Sequence, residues 1–439
     1  MIHLDLSKIK KVFFVGIGGI GISAIARMML LQGKEVFGSD IGENEITNEL
    51  KKLGAQITLG QGIELIPKGT NLIVFSIAIK KYDQVFCKRL ENTGIKLLSY
   101  PEMLGIVTAN KYTIAVSGTH GKTTTTAMIA KILIDAGRDP SVIVGSLLKD
   151  YKSNLVVGKS ELFVVEACEY ERSFLNLYPK ILVITNIEAD HLDYYKDLAD
   201  IKDAFKQLIL QTENKVVYNS KDTNTNVLVR DYERVRGQSR TEDYSKYLEK
   251  VLKLRVPGAH NRMNAAAALA VADILEIPEE VTQRSLAQFS GTWRRLEMRG
   301  KTEKGTIIYD DYAHHPTEIK ASIQALRELY PTEKITILFQ PHLYSRTKAL
   351  FNDFAKSFKG VDRVLLLPIY FAREDKDKNV SSERLAMAMC LEGDNVEAFP
   401  DFTRAEDAVL ALNLGPKDVF VTMGAGEAYK VADKVFKLA

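Results

Sequence analysis

Short apolar runs rich in β-branched and aromatic residues alternate with helical stretches along most of the chain. The first run, Lys11 to Val15, precedes a glycine-rich turn, a helical stretch and a second strand at Glu35 to Phe37. That order of strand, glycine turn, helix and strand is typical of an open parallel α/β sheet. A further run at Leu72 to Phe75 ends at Ser76. The segment up to Ala109 therefore predicts a first α/β domain of ordinary size.

A second unit begins with a strand at Thr113 to Val116, followed by a polar turn and a helix that ends near Asp135. Two more strands, Leu162 to Val165 and Ile181 to Thr185, each end in a cluster of polar residues. Open parallel sheets bind their ligands at the carboxyl ends of strands, so we expect the chemistry of the protein there. Residues 211–255 are polar and weakly patterned, and they carry no motif that assigns them a role.

An alanine-rich helical stretch from Asn264 to Leu275 is followed by a third alternation of strands and helices. Its predicted strands are Thr306 to Tyr309, Lys334 to Phe339, Arg363 to Leu367 and Asp418 to Thr422. A chain of 439 residues suits two or three domains. We predict an α/β protein with three domains, over residues 1–109, 110–291 and 292–439.

Composition and charge narrow the class of protein. The 59 Lys and Arg residues nearly balance the 56 Asp and Glu residues, so charge gives no case for nucleic acid or an acidic membrane surface as a partner. The three cysteines are widely separated, which favours a reducing cytoplasm over a disulfide framework. The apolar stretch from Val12 to Leu31 contains several glycines and Arg27, unlike a membrane span. We expect a cytoplasmic protein with no membrane partner.

The turn after the strand at Thr113 has the parts of a phosphate-binding loop, Gly-Thr-His-Gly-Lys-Thr over residues 118–123. Backbone N–H groups at a helix N-terminus bind anions, and a lysine just inside the helix reaches the terminal phosphates. Gly118, Gly121 and Lys122 supply these parts. Val116 stands where the general P-loop pattern has its first glycine, so the loop is a shorter variant.

Three residues are candidate ligands of Mg²⁺. Thr123 follows the lysine at the position that offers a hydroxyl to the ion, and Glu166 at the end of the next strand offers a carboxylate. His191 lies just past another strand end, where it could approach a second ion. Six of the seven histidines lie in motif segments, which supports a functional reading of them: His120, His191, His260, His314, His315 and His342.

The first domain carries a second glycine-rich turn. Gly16, Gly18 and Gly21, followed by Asp40, reproduce the dinucleotide-binding fingerprint with its acidic residue about 20 positions on. A Rossmann NAD-dependent oxidoreductase fits this pattern, and so does a protein that binds the diphosphate of another nucleotide. The pattern alone does not separate the two ligands, but the second, ATP-type loop favours the latter.

Six segments together resemble the Mur ligase family, over residues 12 to about 427. Three of them match the successive ATP-site motifs of that family: the loop at 118–126, Thr-Asn-Ile-Glu-Ala-Asp-His at 185–191 and Pro-Gly-Ala-His-Asn-Arg-Met-Asn at 257–264. The other three resemble the alanine-adding members in particular: Trp-Arg-Arg-Leu-Glu at 293–297, Asp-Asp-Tyr-Ala-His-His-Pro-Thr-Glu at 310–318 and Gln-Pro-His-Leu-Tyr-Ser-Arg-Thr at 340–347.

The resemblance implies a fold and an activity. The fold would be a Rossmann-like UDP-sugar domain, a central P-loop ATPase-like domain with a parallel sheet, and a Rossmann-like C-terminal domain. The activity would be ATP- and Mg²⁺-dependent joining of L-alanine to the lactyl carboxylate of UDP-N-acetylmuramate through an acyl phosphate, in peptidoglycan precursor synthesis. The protein would act as a monomer or homodimer.

The resemblance also implies roles for individual residues. Those of the UDP-sugar site would be Gly16, Gly18, Gly19, Gly21, Asp40 and Ser76. Those of the ATP site would be Gly118, Thr119, His120, Gly121, Lys122, Thr123, Thr124, His260, Asn261, Asn264, Arg295, Asp310 and Asp311. Tyr312, His314 and Arg346 would face the amino acid, and Lys122, His314, His315 and Arg346 would be catalytic. His314 or His315 would orient or deprotonate the ammonium.

This chain departs from the family pattern at three places, and one of them is that the polar insert at 211–255 is short for the family. The acidic segment reads Glu-Ala-Cys-Glu-Tyr-Glu from Glu166, and its Tyr170 is similar to the related murein peptide ligases. Leu343 stands where alanine-adding members often have arginine, which leaves Arg346 as the nearby cation. Ligation of a recycled tripeptide is therefore the alternative within the family. Folylpolyglutamate synthase-like activity and a non-catalytic nucleotide-binding regulator are more distant alternatives.

Overall fold

The computed structural model describes residues 4–371 and 374–438, apart from the side chains of Lys81 and Tyr82. The chain divides into two compact units. The first unit contains Met1–Glu188, Ala199–Leu252 and Ala265–Ala287, and the second contains Ala189–Leu198, Lys253–Asn264 and Gln288–Ala439. None of the helices in the described residues has the length and apolar character needed to cross a bilayer.

The first sheet belongs to the first unit and is parallel throughout. Its strands are β1 (Lys11–Val15), β2 (Glu35–Asp40), β3 (Gln56–Leu59), β4 (Leu72–Phe75) and β5 (Lys96–Ser99), in the order β3-β2-β1-β4-β5. Its helices are α1 (Ile20–Leu31), α2 (Glu45–Lys52), α3 (Ile77–Tyr82), α4 (Gln84–Glu91) and α5 (Tyr100–Thr108). Successive strands are added on one side of β1 up to β3 and on its other side from β4, and a ligand of such a sheet binds at this switch point between β1 and β4.

The second sheet also belongs to the first unit and has the order β12-β11-β10-β6-β9-β7-β8. Its strands are β6 (Tyr112–Ser117), β7 (Ser141–Leu148), β8 (Ser153–Val156), β9 (Leu162–Glu166), β10 (Ile181–Ile184), β11 (Lys215–Tyr218) and β12 (Thr241–Asp243). The accompanying helices are α6 (Lys122–Asp135), α7 (Leu198–Gln211), α8 (Thr223–Arg236), α9 (Ala259–Ile274) and α10 (Glu279–Gln288). The β7–β8 hairpin is antiparallel, and the other neighbours are parallel.

The third sheet belongs to the second unit and has the order β13-β14-β18-β15-β16-β17, with only β13 antiparallel to its neighbour. Its strands are β13 (Glu297–Lys301), β14 (Ile307–Asp311), β15 (Lys334–Phe339), β16 (Arg363–Leu366), β17 (Val396–Ala398) and β18 (Asp418–Met423). Its helices are α11 (Pro316–Leu329), α12 (Tyr344–Ala349), α13 (Phe351–Ala355), α14 (Ser382–Leu391), α15 (Phe402–Ala411) and α16 (Tyr429–Val435).

Burial on both faces explains why the central strands are almost wholly apolar. In β15, Ile337 and Phe339 pack into one core cluster of the third sheet, and Leu338 between them packs into another. A parallel strand that is covered by helices on both sides is a nearly continuous apolar run. The same holds for β4 and β10, whose residues are all buried.

The three-domain α/β fold with largely parallel sheets is confirmed. The domain boundaries at 109 and 291 stay predictions. Residues 211–255, which carry no recognisable motif, contribute β11, β12 and α8 to one edge of the second sheet.

Candidate active site

The candidate phosphate loop connects β6 to α6 and needs glycine at two positions. Gly121, the residue that caps the N-terminus of α6, has φ of +83°, and Gly118 has φ of +131°. A Cβ atom at Gly118 would lie 2.1 Å from the Thr185 Oγ1 and 2.9 Å from the Asn186 carbonyl oxygen. Only glycine allows this backbone to approach the chain that follows β10 so closely.

The loop is fixed by hydrogen bonds to that neighbouring segment. The Thr119 N–H donates to the Asn186 carbonyl and the His120 N–H donates to Asn186 Oδ1, both at 2.9 Å. The Thr185 hydroxyl donates to the His120 carbonyl at 2.6 Å, and the Glu188 N–H donates to Thr119 Oγ1 at 2.8 Å. These bonds fix the backbone of the loop, and the first N–H groups of α6 have no partners within the helix. The loop is therefore a preformed anion site.

Lys122 is held by a buried carboxylate that the sequence motif does not include. Its Nζ donates to Glu169 Oε1 at 3.0 Å and to the carbonyl oxygens of Gly118 at 2.5 Å and Thr119 at 3.0 Å. Burial alone would lower the pKa of Lys122, but the Glu169 carboxylate, with Cys168 and Glu166 nearby, raises it. The ammonium therefore stays charged, as a phosphate-binding cation must.

Thr123 and Glu166 lie together beside this lysine. The Thr123 hydroxyl donates to Glu166 Oε1 at 3.0 Å, and the Gly145 N–H of β7 donates to Glu166 Oε2 at 2.7 Å. Hydroxyl and carboxylate oxygens are the protein ligands that Mg²⁺ prefers, so this pair fits such an ion. Thr124, the next residue of α6, is buried. His120 Nε2 lies 3.4 Å from Glu188 Oε2.

The glycine-rich turn of the first sheet lies at the switch point. Gly16 has φ of +74°, and a Cβ atom there would lie 3.2 Å from the Cβ of Ser76. The Gly18 N–H donates to Asp40 Oδ2 at 2.8 Å, and the other carboxylate oxygen of Asp40 accepts from the Ile41 N–H at 2.8 Å. Asp40 therefore orients the turn in this structure.

The same turn leads directly into α1. Gly19 is the residue before the helix, so the first N–H groups of α1 point towards the turn. A Cβ atom at Gly21 would lie 2.7 Å from the ring of Tyr100, the first residue of α5. The ring of Tyr100 thus covers the first turn of α1.

In the second unit, a buried arginine binds the end of β14. Arg294 Nε donates to Asp310 Oδ2 at 2.7 Å, and its other nitrogens donate to the Gly424 and Gly426 carbonyls at 2.8 and 3.0 Å. The Thr422 hydroxyl donates to the other oxygen of Asp310 at 2.7 Å. Asp310 is 1% exposed, so its carboxylate serves the packing of strand ends in this structure. The predicted ATP contact of Asp310 stays a prediction.

Asp311 and Arg295 occupy different surroundings. Asp311 is buried, and its carboxylate accepts from the Leu296 N–H at 3.2 Å and from the Ser322 hydroxyl. Burial raises the pKa of Asp311 to about 6. Arg295 is partly exposed, and its guanidinium lies 5.0 Å from the centre of the Tyr312 ring.

His314 is a neutral imidazole with one nitrogen already engaged. Its Nδ1 lies 2.9 Å from the Tyr312 carbonyl oxygen and 3.3 Å from Glu318 Oε2. Both neighbours are acceptors, so Nδ1 carries the hydrogen and Nε2 keeps a lone pair. Burial lowers the pKa of His314 to about 4. The adjacent His315 is buried and caps α11, since its Nδ1 accepts from the Thr317 N–H at 3.3 Å.

Arg346 forms a buried ion pair with Asp190. Its Nε and Nη2 donate to Asp190 Oδ1 at 3.1 and 3.0 Å, and its Nη1 lies 3.2 Å from His342 Nδ1. Burial raises the pKa of Asp190, but the Arg346 charge outweighs it and holds this pKa well below its usual range. Burial lowers the pKa of His342 to about 3. The predicted contact of Arg346 with the amino acid stays a prediction.

A small cavity adjoins this ion pair. It has a volume of about 80 Å³ and is lined by residues 189–193 and by α12 residues, with Leu343 and Leu350. His191, one of its lining residues, has φ of +54°, and Leu343 has φ of +71°. Two residues in strained conformations at one cavity are typical of a functional site.

Three predicted ATP-site residues, His260, Asn261 and Asn264, lie in the first two turns of α9. The Asn261 amide donates to the Pro257 carbonyl at 2.6 Å, and the Asn264 amide donates to Asn261 Oδ1 at 3.3 Å. Burial lowers the pKa of His260, so its imidazole is neutral. The polar partners that the sequence motifs do not reveal are Glu169, Asn186, Asp190 and Arg294. All four lie within segments that the sequence analysis quotes, but those segments do not show which residue each of them binds.

Comparison with known proteins gives the same family along most of the chain. Residues 11–112 match the Mur ligase family catalytic domain, residues 116–272 match the Mur ligase middle domain, and residues 294–426 match the Mur ligase glutamate ligase domain. The chain is similar to the UDP-N-acetylmuramate–L-alanine ligase of Caldanaerobacter subterraneus subsp. tengcongensis, with 38% identity over 98% of this chain and 98% of that protein. It is 39% identical to the ligase of that name from Clostridium tetani, over 98% of this chain and 99% of that protein.

Solved structures are similar over the same length. The crystal structure of a UDP-N-acetylmuramate-alanine ligase from Thermotoga maritima matches with a TM-score of 0.79 and 27% identity, covering 97% of this chain and 98% of that one. A murein peptide ligase from Psychrobacter arcticus matches with a TM-score of 0.69 and 20% identity, covering 97% and 98%. At that identity the second match bears on the fold alone.

Proposed function

Because the chain belongs to the Mur ligase family, we propose that it catalyses the ATP-dependent joining of L-alanine to the lactyl carboxylate of UDP-N-acetylmuramate. The observation that carries this proposal is the similarity to ligases of that name over nearly the whole of both chains. The loop around Lys122 supports it independently. A carboxylate must be activated before an amine can attack it, and ATP bound at such a loop can supply phosphate as the leaving group. The Rossmann-like first sheet then binds a sugar nucleotide. An oxidoreductase that transfers hydride to NAD would not need the phosphate loop around Lys122.

In the proposed reaction the lactyl carboxylate attacks the γ-phosphorus of ATP, which forms an acyl phosphate and ADP. Lys122 binds the phosphates through its charged ammonium, and the N–H groups at the start of α6 stabilise their oxygens. Thr123 and Glu166 would hold Mg²⁺. The ion, when bound, would offset the negative charge that is shared between the β- and γ-phosphates.

The amine of L-alanine then attacks the acyl carbon, and phosphate leaves. His314 Nε2 has a lone pair that can accept a hydrogen bond from the ammonium, but a pKa of about 4 makes it a weak base. We therefore assign His314 to orienting the amine, while the proton leaves to solvent or to the departing phosphate. Tyr312 supports the imidazole through its carbonyl oxygen.

The test is phosphate release from ATP and Mg²⁺ in the presence of UDP-N-acetylmuramate. Three reactions are compared: with L-alanine, with no amino acid, and with a tripeptide of the kind recycled from the cell wall. Release that depends on L-alanine is expected. Release only with the tripeptide would assign the protein to murein peptide ligation, and release with neither would contradict both activities.

A pair of variants separates the nucleotide site from the rest of the reaction. Lys122→Ala should abolish phosphate release, because the loop then lacks its cation. Lys131 provides the matched control, since it lies on the same helix α6 and pairs with Asp135 at the far end. Lys131→Ala should retain activity, and equal loss in both variants would argue that the helix rather than the ammonium matters.

A further inference from the structure

The β7–β8 hairpin contacts both candidate nucleotide sites of the first unit. On one side, Asn154 of β8 is fully buried against α1. Its Nδ2 donates to the Ile20 carbonyl oxygen and to the Ser23 Oγ, the latter at 3.0 Å. Ile20 and Ser23 form the first turn of α1, directly after the glycine-rich turn. The amide of Asn154 therefore fixes the end of α1 that faces the candidate diphosphate site.

The other strand of the hairpin touches the candidate Mg²⁺ ligand. The Gly145 N–H of β7 donates to Glu166 Oε2 at 2.7 Å, and a Cβ atom at Gly145 would lie 2.8 Å from Glu166 Oε1. The backbone of β7 thus passes directly against the carboxylate. One hairpin holds the first turn of α1 with one strand and the Glu166 carboxylate with the other.

The acceptor atoms around the Asn154 side chain explain why an amide donor stands at this position. The Ser23 hydroxyl donates to the Ile20 carbonyl at 2.9 Å, so its oxygen is left to accept from Asn154. Both atoms that face the Asn154 side chain are then acceptors, and only a donor satisfies them. Asn154 Oδ1 has no hydrogen-bond partner in the part of the chain that the structure describes. The two donated bonds therefore set the position of the amide.

We propose that Asn154 is a positioning residue, which sets the diphosphate-binding turn of α1 relative to the Glu166 carboxylate. This inference rests on the proposed function, because it assigns the turn to the sugar nucleotide and Glu166 to the ATP site. In-line phosphoryl transfer needs the lactyl carboxylate at the γ-phosphate, so the distance between the two sites controls the rate. Asn154 touches neither substrate and acts through α1.

The sharpest perturbation is Asn154→Asp, which keeps the size of the side chain and removes the donor. A carboxylate at this place would face the Ile20 carbonyl. We expect the KM for UDP-N-acetylmuramate to rise about 3- to 10-fold, in line with the loss of one or two buried hydrogen bonds. kcat should also fall, while the KM for ATP should stay within about twofold, because the loop around Lys122 keeps its own hydrogen bonds.

Ser23→Ala is the second variant, since it removes the partner hydroxyl with little risk to the fold. Its effect should not add to that of Asn154→Asp, because both remove the same contact. Val157→Ala is the matched control: this exposed residue lies just past β8. Titration calorimetry of UDP-N-acetylmuramate without ATP gives a readout of α1 that does not depend on turnover.

The outcomes separate the inference from the proposed function. An active wild type whose Asn154 variant shows unchanged KM values, or equal increases for both substrates, overturns the positioning role. Weaker binding of the sugar nucleotide alone, with an unaffected Val157→Ala control, supports it. A wild type that neither binds nor consumes UDP-N-acetylmuramate overturns the proposed function and this inference with it.

Discussion

Gly118→Ala tests whether the phosphate loop depends on its close approach to the segment after β10. Gly118 has φ of +131°, and the new Cβ would lie 2.1 Å from the Thr185 Oγ1. That hydroxyl cannot easily turn away, because it is bound to the His120 carbonyl at 2.6 Å. Backbone strain at such a φ costs about 1–3 kcal/mol, and the collision adds to it. The loop must move by about 1 Å to relieve the collision. A misplacement of that size lowers the rate of the catalysed reaction by about 100-fold.

Gly137→Ala is the matched control for this variant. Gly137 follows the same helix α6 at its other end and has φ of +70°, but nothing lies within 4 Å of a Cβ atom there. It should therefore cost only the strain of a left-handed residue, about 1–2 kcal/mol, and leave activity unchanged. The assay is kcat/KM for ATP in alanine-dependent phosphate release, with urea unfolding of both variants in parallel. Near wild-type activity in Gly118→Ala, or an equal loss in Gly137→Ala, would refute the reasoning.

Three further perturbations test other parts of the candidate site. Thr123→Val removes the hydroxyl beside Glu166, so the Mg²⁺ concentration for half-maximal phosphate release should rise at least about 10-fold, whereas Thr123→Ser should titrate like wild type. Arg346→Ala leaves Asp190 buried without its cation and should lower the free energy of unfolding by about 3–5 kcal/mol; adding Asp190→Ala should recover part of the loss in urea unfolding, and strict additivity would contradict the pair. The pKa of His314 is lowered from 6.5 to about 4 in the folded protein, so the unfolded chain takes up the proton first as pH falls through this window. Stability should fall there by up to about 1.4 kcal/mol per pH unit, and His314→Gln should show a flatter dependence on pH than wild type.

Strands that are almost wholly apolar were the easiest part of the fold to predict. Leu72–Phe75 and Lys334–Phe339 have the predicted bounds, and α6 ends at the predicted Asp135. Covered parallel strands and glycine-marked helix ends are local signals, so they can be read from the sequence. β11 and β12 are the last two strands at one side of the second sheet, and both are short. They escaped prediction because packing with distant neighbours outweighs a weak local pattern in such strands.

The partners of the candidate site residues could not be predicted for a related reason. Glu169 lies 47 residues from Lys122, and Asp190 lies 156 residues from Arg346. A charged residue in a motif gives its chemistry but not the identity of the charge that neutralises it. The pairing follows from which strand ends the topology brings together. The motif segments did supply the loop around Lys122, since its parts are contiguous in the chain.

The assignment of Ala189–Leu198 and Lys253–Asn264 to the second compact unit has a practical consequence for dissecting this protein. A fragment that ends at the predicted boundary of residue 291 would contain Asp190 without Arg346. The carboxylate of Asp190 would then lack the cation that it pairs with in the intact chain. Such a fragment should aggregate and be sensitive to proteases when it is expressed. Co-expression of a second fragment that contains Arg346 should restore solubility. The ion pair can therefore be tested by fragment complementation.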